Sequence, residues 1–320
     1  MTAKRVRRVL RVVALAVLSA LLLLAIRTIN WPHLTQSLHE ARPLWLLAAA
    51  MGFLAILPLW AAEWTILAPA STDRSFRRML GVVALTSSAL NTTAFLIGEA
   101  TGVALLVARA GVSRPAAVSV LAMDQLLVGI AKLAVLGAAA LALPLPDWMR
   151  GGIASLSVAV ALLLALSLAS AWRFESLAPR TAHLLDGKVA RAIARAGEAL
   201  APLRSPKRAS AAIVLALAKK AVEVAAIVCV QRAFGLDVQL GAAILVLGAL
   251  NLSTLVPLVP GNLGVYEGTV TLIYTSLGVP VDRALAIAVV QHACYFAALA
   301  LPGYVVLAFS TVEHREAAVS

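Results

Sequence analysis

Between two apolar stretches, residues 241–259 and 263–277, the chain reads Pro257-Leu258-Val259-Pro260-Gly261-Asn262-Leu263-Gly264-Val265-Tyr266-Glu267-Gly268. Prolines, glycines and a carboxylate interrupt what would otherwise be a continuous apolar helix. In a bilayer, broken backbone survives only where it is buried in protein or lines a polar cavity, because lipid cannot satisfy the freed N–H and C=O groups. The segment therefore marks a site inside a membrane protein, provided its surroundings are membrane-like. They are: 62% of the 320 residues are hydrophobic and 13% are charged, about half the charge of a soluble domain.

The apolar runs are long and continuous rather than alternating, which selects an all-α polytopic membrane protein over a β-barrel. Runs of span length fall at about 9–29, 44–68, 117–142, 152–171, 209–233 and 284–309. The basic start, Lys4-Arg5-Val6-Arg7-Arg8, precedes the first run, but Ala25-Ile26-Arg27-Thr28 is a poor cleavage site, so this run is expected to be an uncleaved first helix. The polar interval from Trp172 to Arg208 is too short for a soluble domain. Cys229 and Cys294 both lie in expected spans and read as small packing residues.

Two apolar regions do not fit single crossings. Residues 80–97 lead into 98–110, and 241–259 lead into 263–277; each second piece is too short to cross comfortably. Each region is expected to form a re-entrant helical hairpin, and the two resemble each other. Asn91, Gly98-Glu99 and Gly111 in one correspond to Asn251, Gly264 to Glu267 and Gly278 in the other. Each is followed by a long span with polar residues at similar depth, Asp124-Gln125 and Gln291-His292. The expected organisation is two membrane repeats, 1–143 with a hairpin at about 80–110 and 144–320 with a hairpin at about 241–278.

Three crossings per repeat invert one half relative to the other. The basic residues agree. That count puts 19 Lys and Arg on one side and five (Arg27, Arg42, Arg150, Arg232, Arg283) on the other. Basic loops stay cytoplasmic, so both termini are expected there, in a bacterial or archaeal inner membrane. The loop 172–208 holds Leu185, Val189, Ile193, Ala196 and Leu200 at helical spacing opposite Lys188, Arg191 and Arg195. It is expected to be a basic amphipathic helix, lying on an anionic leaflet or joining the halves. The net charge of +12 thus points to anionic lipid and not to nucleic acid.

Charges at membrane depth cost at least about 2.5–3.5 kcal/mol each and usually face a cavity or a partner. Here they are Asp124, Lys132, Lys219, Lys220 and Glu223, with Glu63 read as interfacial near a span end. Lys219 and Lys220 lie four and three positions before Glu223, a spacing that suits pairing. Asp124 and Lys132 share one helix face. Glu99 and Glu267 stand at the expected hairpin tips. They could contact a ligand, pair with lysine, carry a proton, or cap a half-helix whose N–H groups suit an anion. Neighbouring glycines permit close backbone approach. His292 alone is more often a hydrogen-bonded core residue than a proton carrier.

The histidines do not cluster as metal ligands, and neither a nucleophile elbow nor a phosphate-binding Gly-Lys-Ser/Thr loop is present. The reading therefore calls for no metal, no cofactor and no catalytic residue.

Pro260-Gly261-Asn262-Leu263-Gly264-Val265-Tyr266-Glu267 resembles the hallmark of the lysylphosphatidylglycerol synthase transmembrane-region family, Pro-Gly-Gly-Leu-Gly-Val, any residue, Glu. Asn262 stands where that pattern has its second glycine. Asn91…Gly98-Glu99…Gly111-Val112-Ser113 is similar to the family's first-half motif, without its Pro and Arg residues. The resemblance covers nearly the whole chain. It implies a protein that moves lipids between leaflets, here as a stand-alone member without the aminoacyl-transferase domain.

The leading expectation is thus a lipid transporter or flippase for a polar-headgroup lipid: an anionic phospholipid, a glycolipid or a polyprenyl-phosphate-linked sugar. Its midplane cavity would be lined by Glu99, Glu267, Gly98, Asn91, Asn251, Gly261, Asn262, Gly264, Tyr266, Asp124, Lys132, Lys219, Lys220, Glu223 and His292. The alternatives are a membrane-embedded transferase acting on a lipid carrier and an accessory subunit of a glycosyltransferase. The partners admitted are membrane lipids, a second copy as a homodimer, or a glycosyltransferase.

Overall fold

The structure is a computed structural model that describes residues 31–69, 75–142, 144–177, 205–236, 240–254 and 259–316. The expected first span at 9–29 and most of the basic segment 172–208 lie outside the described residues. What is described is helical, with no strand among those residues.

The elements in order are α1 Trp31–Glu40, α2 Pro43–Leu54, α3 Ile56–Leu67, α4 Phe76–Thr92, α5 Phe95–Ala110, α6 Arg114–Ala142, α7 Asp147–Leu177 and α8 Pro206–Ala233. Then follow α9 Leu240–Ser253, a 3-10 turn Pro260–Asn262, α10 Val265–Ser276 and α11 Val281–Glu316. Among the described residues, three stretches are long and apolar enough to cross a membrane: Pro43–Leu67, Arg114–Ala142 and Val281–Phe309. They match the expected spans 44–68, 117–142 and 284–309. Helices α7 and α8 cover the expected spans 152–171 and 209–233.

The first of these crossings is divided at Ala55. Pro58 lacks the N–H that would bond Leu54, and its ring crowds that carbonyl, so the helix loosens there.

The first hairpin is expected to break between residues 97 and 98. It breaks instead at Thr93-Ala94, both extended. The cause lies in the polar end of α4. Asn91 Nδ2 donates to Ser87 O at 2.8 Å, Thr92 Oγ1 to Ser88 O at 2.7 Å, and Thr93 Oγ1 to Ala89 O at 2.7 Å. Such side chains compete with the backbone ladder and end the helix. Gly98 then falls where α5 folds back on α4: a Cβ on it would sit 2.8 Å from Leu90 Cα. Helices α9 and α10, of 14 and 12 residues, are about 21 and 18 Å long at 1.5 Å per residue, short of a bilayer core of about 30 Å.

Helix packing has a regular pattern. Replace α2/α3 by α8, α4 by α9, α5 by α10 and α6 by α11. The packed pairs α4–α5, α5–α6, α4–α11, α3–α4, α3–α6 and α2–α11 then become α9–α10, α10–α11, α9–α6, α8–α9, α8–α11 and α8–α6, all of which are also packed. The contact of α2/α3 with α8 maps onto itself, and it runs antiparallel. Arg42 N donates to Ala233 O at 2.9 Å, Gly52 lies against Ala226, and Glu63 meets Lys219.

Candidate functional site

The second hairpin turns through backbone that few residues tolerate. Gly261 has φ 65°, Asn262 φ 53° and Gly264 φ 82°. Asparagine is one of the few non-glycine residues at ease with positive φ, so Asn262 serves the turn in place of the family pattern's glycine. Gly261 also touches the first hairpin: a Cβ there would sit 2.9 Å from Asn91 O and 3.2 Å from Phe296 Cε2. The end of α4 and the 3-10 turn thus meet, and no larger residue fits between them.

Glu267 is the third residue of α10. Its Oε2 accepts the Gly264 N–H at 2.7 Å, closing the helix start, and its Oε1 lies 2.7 Å from His292 Nδ1 on α11. The imidazole is stacked on Tyr266, centroids 4.2 Å apart and planes 11° apart. Gln291 Nε2 donates to the Tyr266 hydroxyl at 2.9 Å. Tyr266 is buried and acts here as the wall that orients His292. Capping and pairing are therefore combined in one carboxylate. His292 Nε2 is buried without a hydrogen-bond partner among the described residues.

Glu99 has no capping role, because the chain breaks five residues before Gly98-Glu99 reaches its helical position on α5. It accepts a hydrogen bond from Gln125 Nε2 on α6 at 2.9 Å. The two glutamates thus have parallel partners, each on the long helix that follows its hairpin. The expected likeness of Asp124-Gln125 and Gln291-His292 takes this physical form.

The lysines separate into different partnerships. Lys220 Nζ lies 2.5 Å from Glu223 Oε2 and 3.3 Å from Asn251 Oδ1, so the expected pair three apart is present. Lys219 instead crosses to other helices. Its Nζ is 2.9 Å from Glu63 Oε2 and 3.5 Å from Asp124 Oδ1. Trp60 Nε1 donates to the same Asp124 oxygen at 3.0 Å. Asp124 and Lys132 share a helix without pairing. Lys132 is half-buried within electrostatic reach of Lys220 and Glu223 and has no hydrogen bond or ion pair among the described residues.

Glu63, expected near a span end, is not open to its surroundings: its side chain is 0% exposed, enclosed where α3, α6 and α8 meet. Nearness to a span end in sequence says nothing of which face of α3 is covered by α8. Trp60, three positions before Glu63 on α3, is a polar partner that residue spacing did not single out; Gln125 was singled out as a polar residue of its span but not as the partner of Glu99. Among the described residues no group of His, Cys, Asp and Glu could hold a metal ion.

Polar side chains join the two sets of helices where Lys219 on α8 meets Glu63 and Asp124 and where Lys132 on α6 is in electrostatic reach of Lys220 and Glu223 on α8, whereas Glu99–Gln125 and Glu267–His292 each lie within one set. Carboxylates, amides and an ammonium without a partner among the described residues can bind the charged and hydroxyl-bearing parts of a headgroup. A family model described as Lysylphosphatidylglycerol synthase TM region matches residues 11–303. No curated protein and no solved structure matches the chain.

Proposed function

The chain belongs to the lysylphosphatidylglycerol synthase TM region family, a family of membrane proteins related to lipid handling, and from that premise we propose that it moves a polar-headgroup lipid between leaflets. The observation that carries this reading is the pair of glutamates, one on each hairpin, each held by a polar side chain of the following helix (Glu99–Gln125, Glu267–His292). Placing such groups in apolar surroundings is costly and is repaid only by partners or by a substrate.

In this mechanism the hairpins form two half-sites of one cavity, in two inverted repeats. The exchange pattern of helix packing and the antiparallel α2/α3–α8 contact support that arrangement. The headgroup enters from one leaflet, exchanges water for Glu99 and Gln125 on one side and Asn251, Glu267 and His292 on the other, and leaves toward the opposite leaflet. Lys132, with no partner of its own among the described residues, supplies a positive charge for a phosphate. The acyl or prenyl tails stay in lipid. The exposed apolar side chains Leu96, Ile97 and Leu263 beside the hairpin turns suit contact with those tails.

The test is leaflet-resolved translocation of fluorescent phospholipid, glycolipid and polyprenyl-phosphate-sugar probes in proteoliposomes. The reading expects transport by the intact chain and at least about tenfold loss in both Glu267→Gln and Glu99→Gln, the size of one lost charged hydrogen bond at a rate-limiting step. Unchanged rates in both variants would sink the site. Chemical conversion of a probe in place of its movement would favour a transferase.

A further inference from the structure

Asp124 and Lys219, expected to line the lipid cavity, are instead engaged with Glu63 in a buried cluster that the lipid path proposed above leaves aside, and this cluster has an unbalanced charge. Two carboxylates face one ammonium, so with all three ionised the cluster carries −1. It is sealed: the Glu63 side chain is 0% exposed, that of Lys219 9% and that of Asp124 4%. An uncompensated charge in such a place is expensive.

The hydrogen bonds are unequally divided between the acids. Asp124 Oδ1 has both Trp60 Nε1 and Lys219 Nζ close by, donors that favour a carboxylate. Glu63 has Lys219 on Oε2, while Oε1 is buried with no hydrogen-bond partner among the described residues. Other charges do not restore the balance. Glu99 on α5 is in electrostatic reach of Asp124 and adds negative potential. Helix α4, also packed on α3, has no ionisable residue at its buried positions.

We propose that this three-helix cluster is a proton-binding site, with Glu63 Oε1 as the acceptor, and that its loading couples a proton to the lipid movement proposed above. One O–H bond forms at Glu63 as one O–H bond of a hydronium ion from bulk water breaks and leaves water, and no other covalent bond changes. Loading changes the cluster from −1 to neutral and leaves Lys219 to Asp124. Unloading restores the competition of both acids for one lysine. Because α3 and α6 belong to the first set of helices and α8 to the second, the proton acts on the contact between halves. The coupling rests on the lipid-transport reading; the proton site does not.

The two parts are separated by experiment. Infrared difference spectroscopy of the full chain in lipid reads a protonated carboxylic acid directly through its carbonyl band and the shift of that band in heavy water. A band present in the intact chain, lost in Glu63→Gln and retained in Glu99→Gln is the expected result. Asp124→Asn is the second variant. It removes the competing charge, leaves Glu63 ionised against Lys219, and so also loses the band. Retention of the band in either Glu63→Gln or Asp124→Asn overturns the site, as does a cluster stabilised by sodium with no band. In proteoliposomes an imposed pH gradient should accelerate translocation by the intact chain several-fold and leave Glu63→Gln at its gradient-free rate. Translocation indifferent to the gradient overturns the coupling. Absence of translocation in every preparation rejects the lipid reading while the infrared result still decides the proton site.

Discussion

His292 Nδ1 lies 2.7 Å from Glu267 Oε1, and Gln125 Nε2 lies 2.9 Å from Glu99 Oε1. The glutamate and its partner are 25 positions apart in one hairpin and 26 in the other. The same joint is thus built twice, once with a titratable ring and once with an amide. The joint with the ring also caps a helix, so the two halves are not mechanically equal.

That inequality gives the first prediction. Glu267→Ala removes a cap, worth about 0.5–2 kcal/mol, and a charged hydrogen bond, worth about 1.5–3 kcal/mol. Glu99→Ala removes only an exposed hydrogen bond to Gln125. Thermal unfolding in detergent or nanodiscs should show a clearly larger loss for Glu267→Ala. Equal losses would mean that the capping contact does not hold α10.

The turn gives the second. Gly261→Ala meets both positive φ and the Asn91 carbonyl 2.9 Å away, so it should destabilise by about 1–3 kcal/mol. Asn262→Gly should change stability by less than about 1 kcal/mol, because glycine accepts the same backbone. Gly264→Ala, at φ 82° but with open space around it, should cost only the backbone strain. Unfolding midpoints of the three variants rank these costs.

A third concerns Lys219. Lys219→Met leaves Glu63 and Asp124 facing each other without a cation. Breaking a buried pair on one side costs about 3–5 kcal/mol, whereas Lys220→Met, whose partner Glu223 is less enclosed, should cost less. Denaturation of both variants in parallel reads the difference. A Lys219→Met protein as stable as Lys220→Met would remove the cluster from the list of what holds the halves together.

The inverted arrangement is open to labelling. With Cys229 and Cys294 replaced, Ser113→Cys and Ser205→Cys should react with a membrane-impermeant maleimide only after the cells are opened. Asp147→Cys and Asp282→Cys should react in intact cells. These positions bound α6, α8 and α11. Labelling of Ser113→Cys and Asp147→Cys from the same side would mean that α6 does not cross.

The membrane class, the long helices and the two interrupted regions were legible because each follows from local chemistry. Apolar runs of bilayer length, a proline without an N–H, and Gly-Asn-x-Gly at positive φ impose themselves wherever they occur. Capping was one of the four roles that the place of Glu267 at a hairpin tip left open, and the contact with Gly264 N–H shows that it is filled. The break before Glu99 was misplaced by several residues because Gly98 looked like the hinge. The hinge is Thr93-Ala94, where hydroxyl and amide side chains turn back on α4, and Gly98 is instead the point of helix contact. Lys220–Glu223 could be read from spacing along one helix; Lys219–Glu63 could not.

The sequence alone determined that this chain is a helical membrane protein with two broken hairpins, each carrying a glutamate and each followed by a helix with polar residues at matching depth. Only the tertiary structure decided which charge answers which. Helical spacing compares residues three or four apart, whereas Glu63, Asp124 and Lys219 meet from three helices. Their shared lysine, and the Glu63 oxygen without a hydrogen-bond partner among the described residues, exist only once α3, α6 and α8 are packed, because burial and long-range pairing are properties of the contact and not of any one segment.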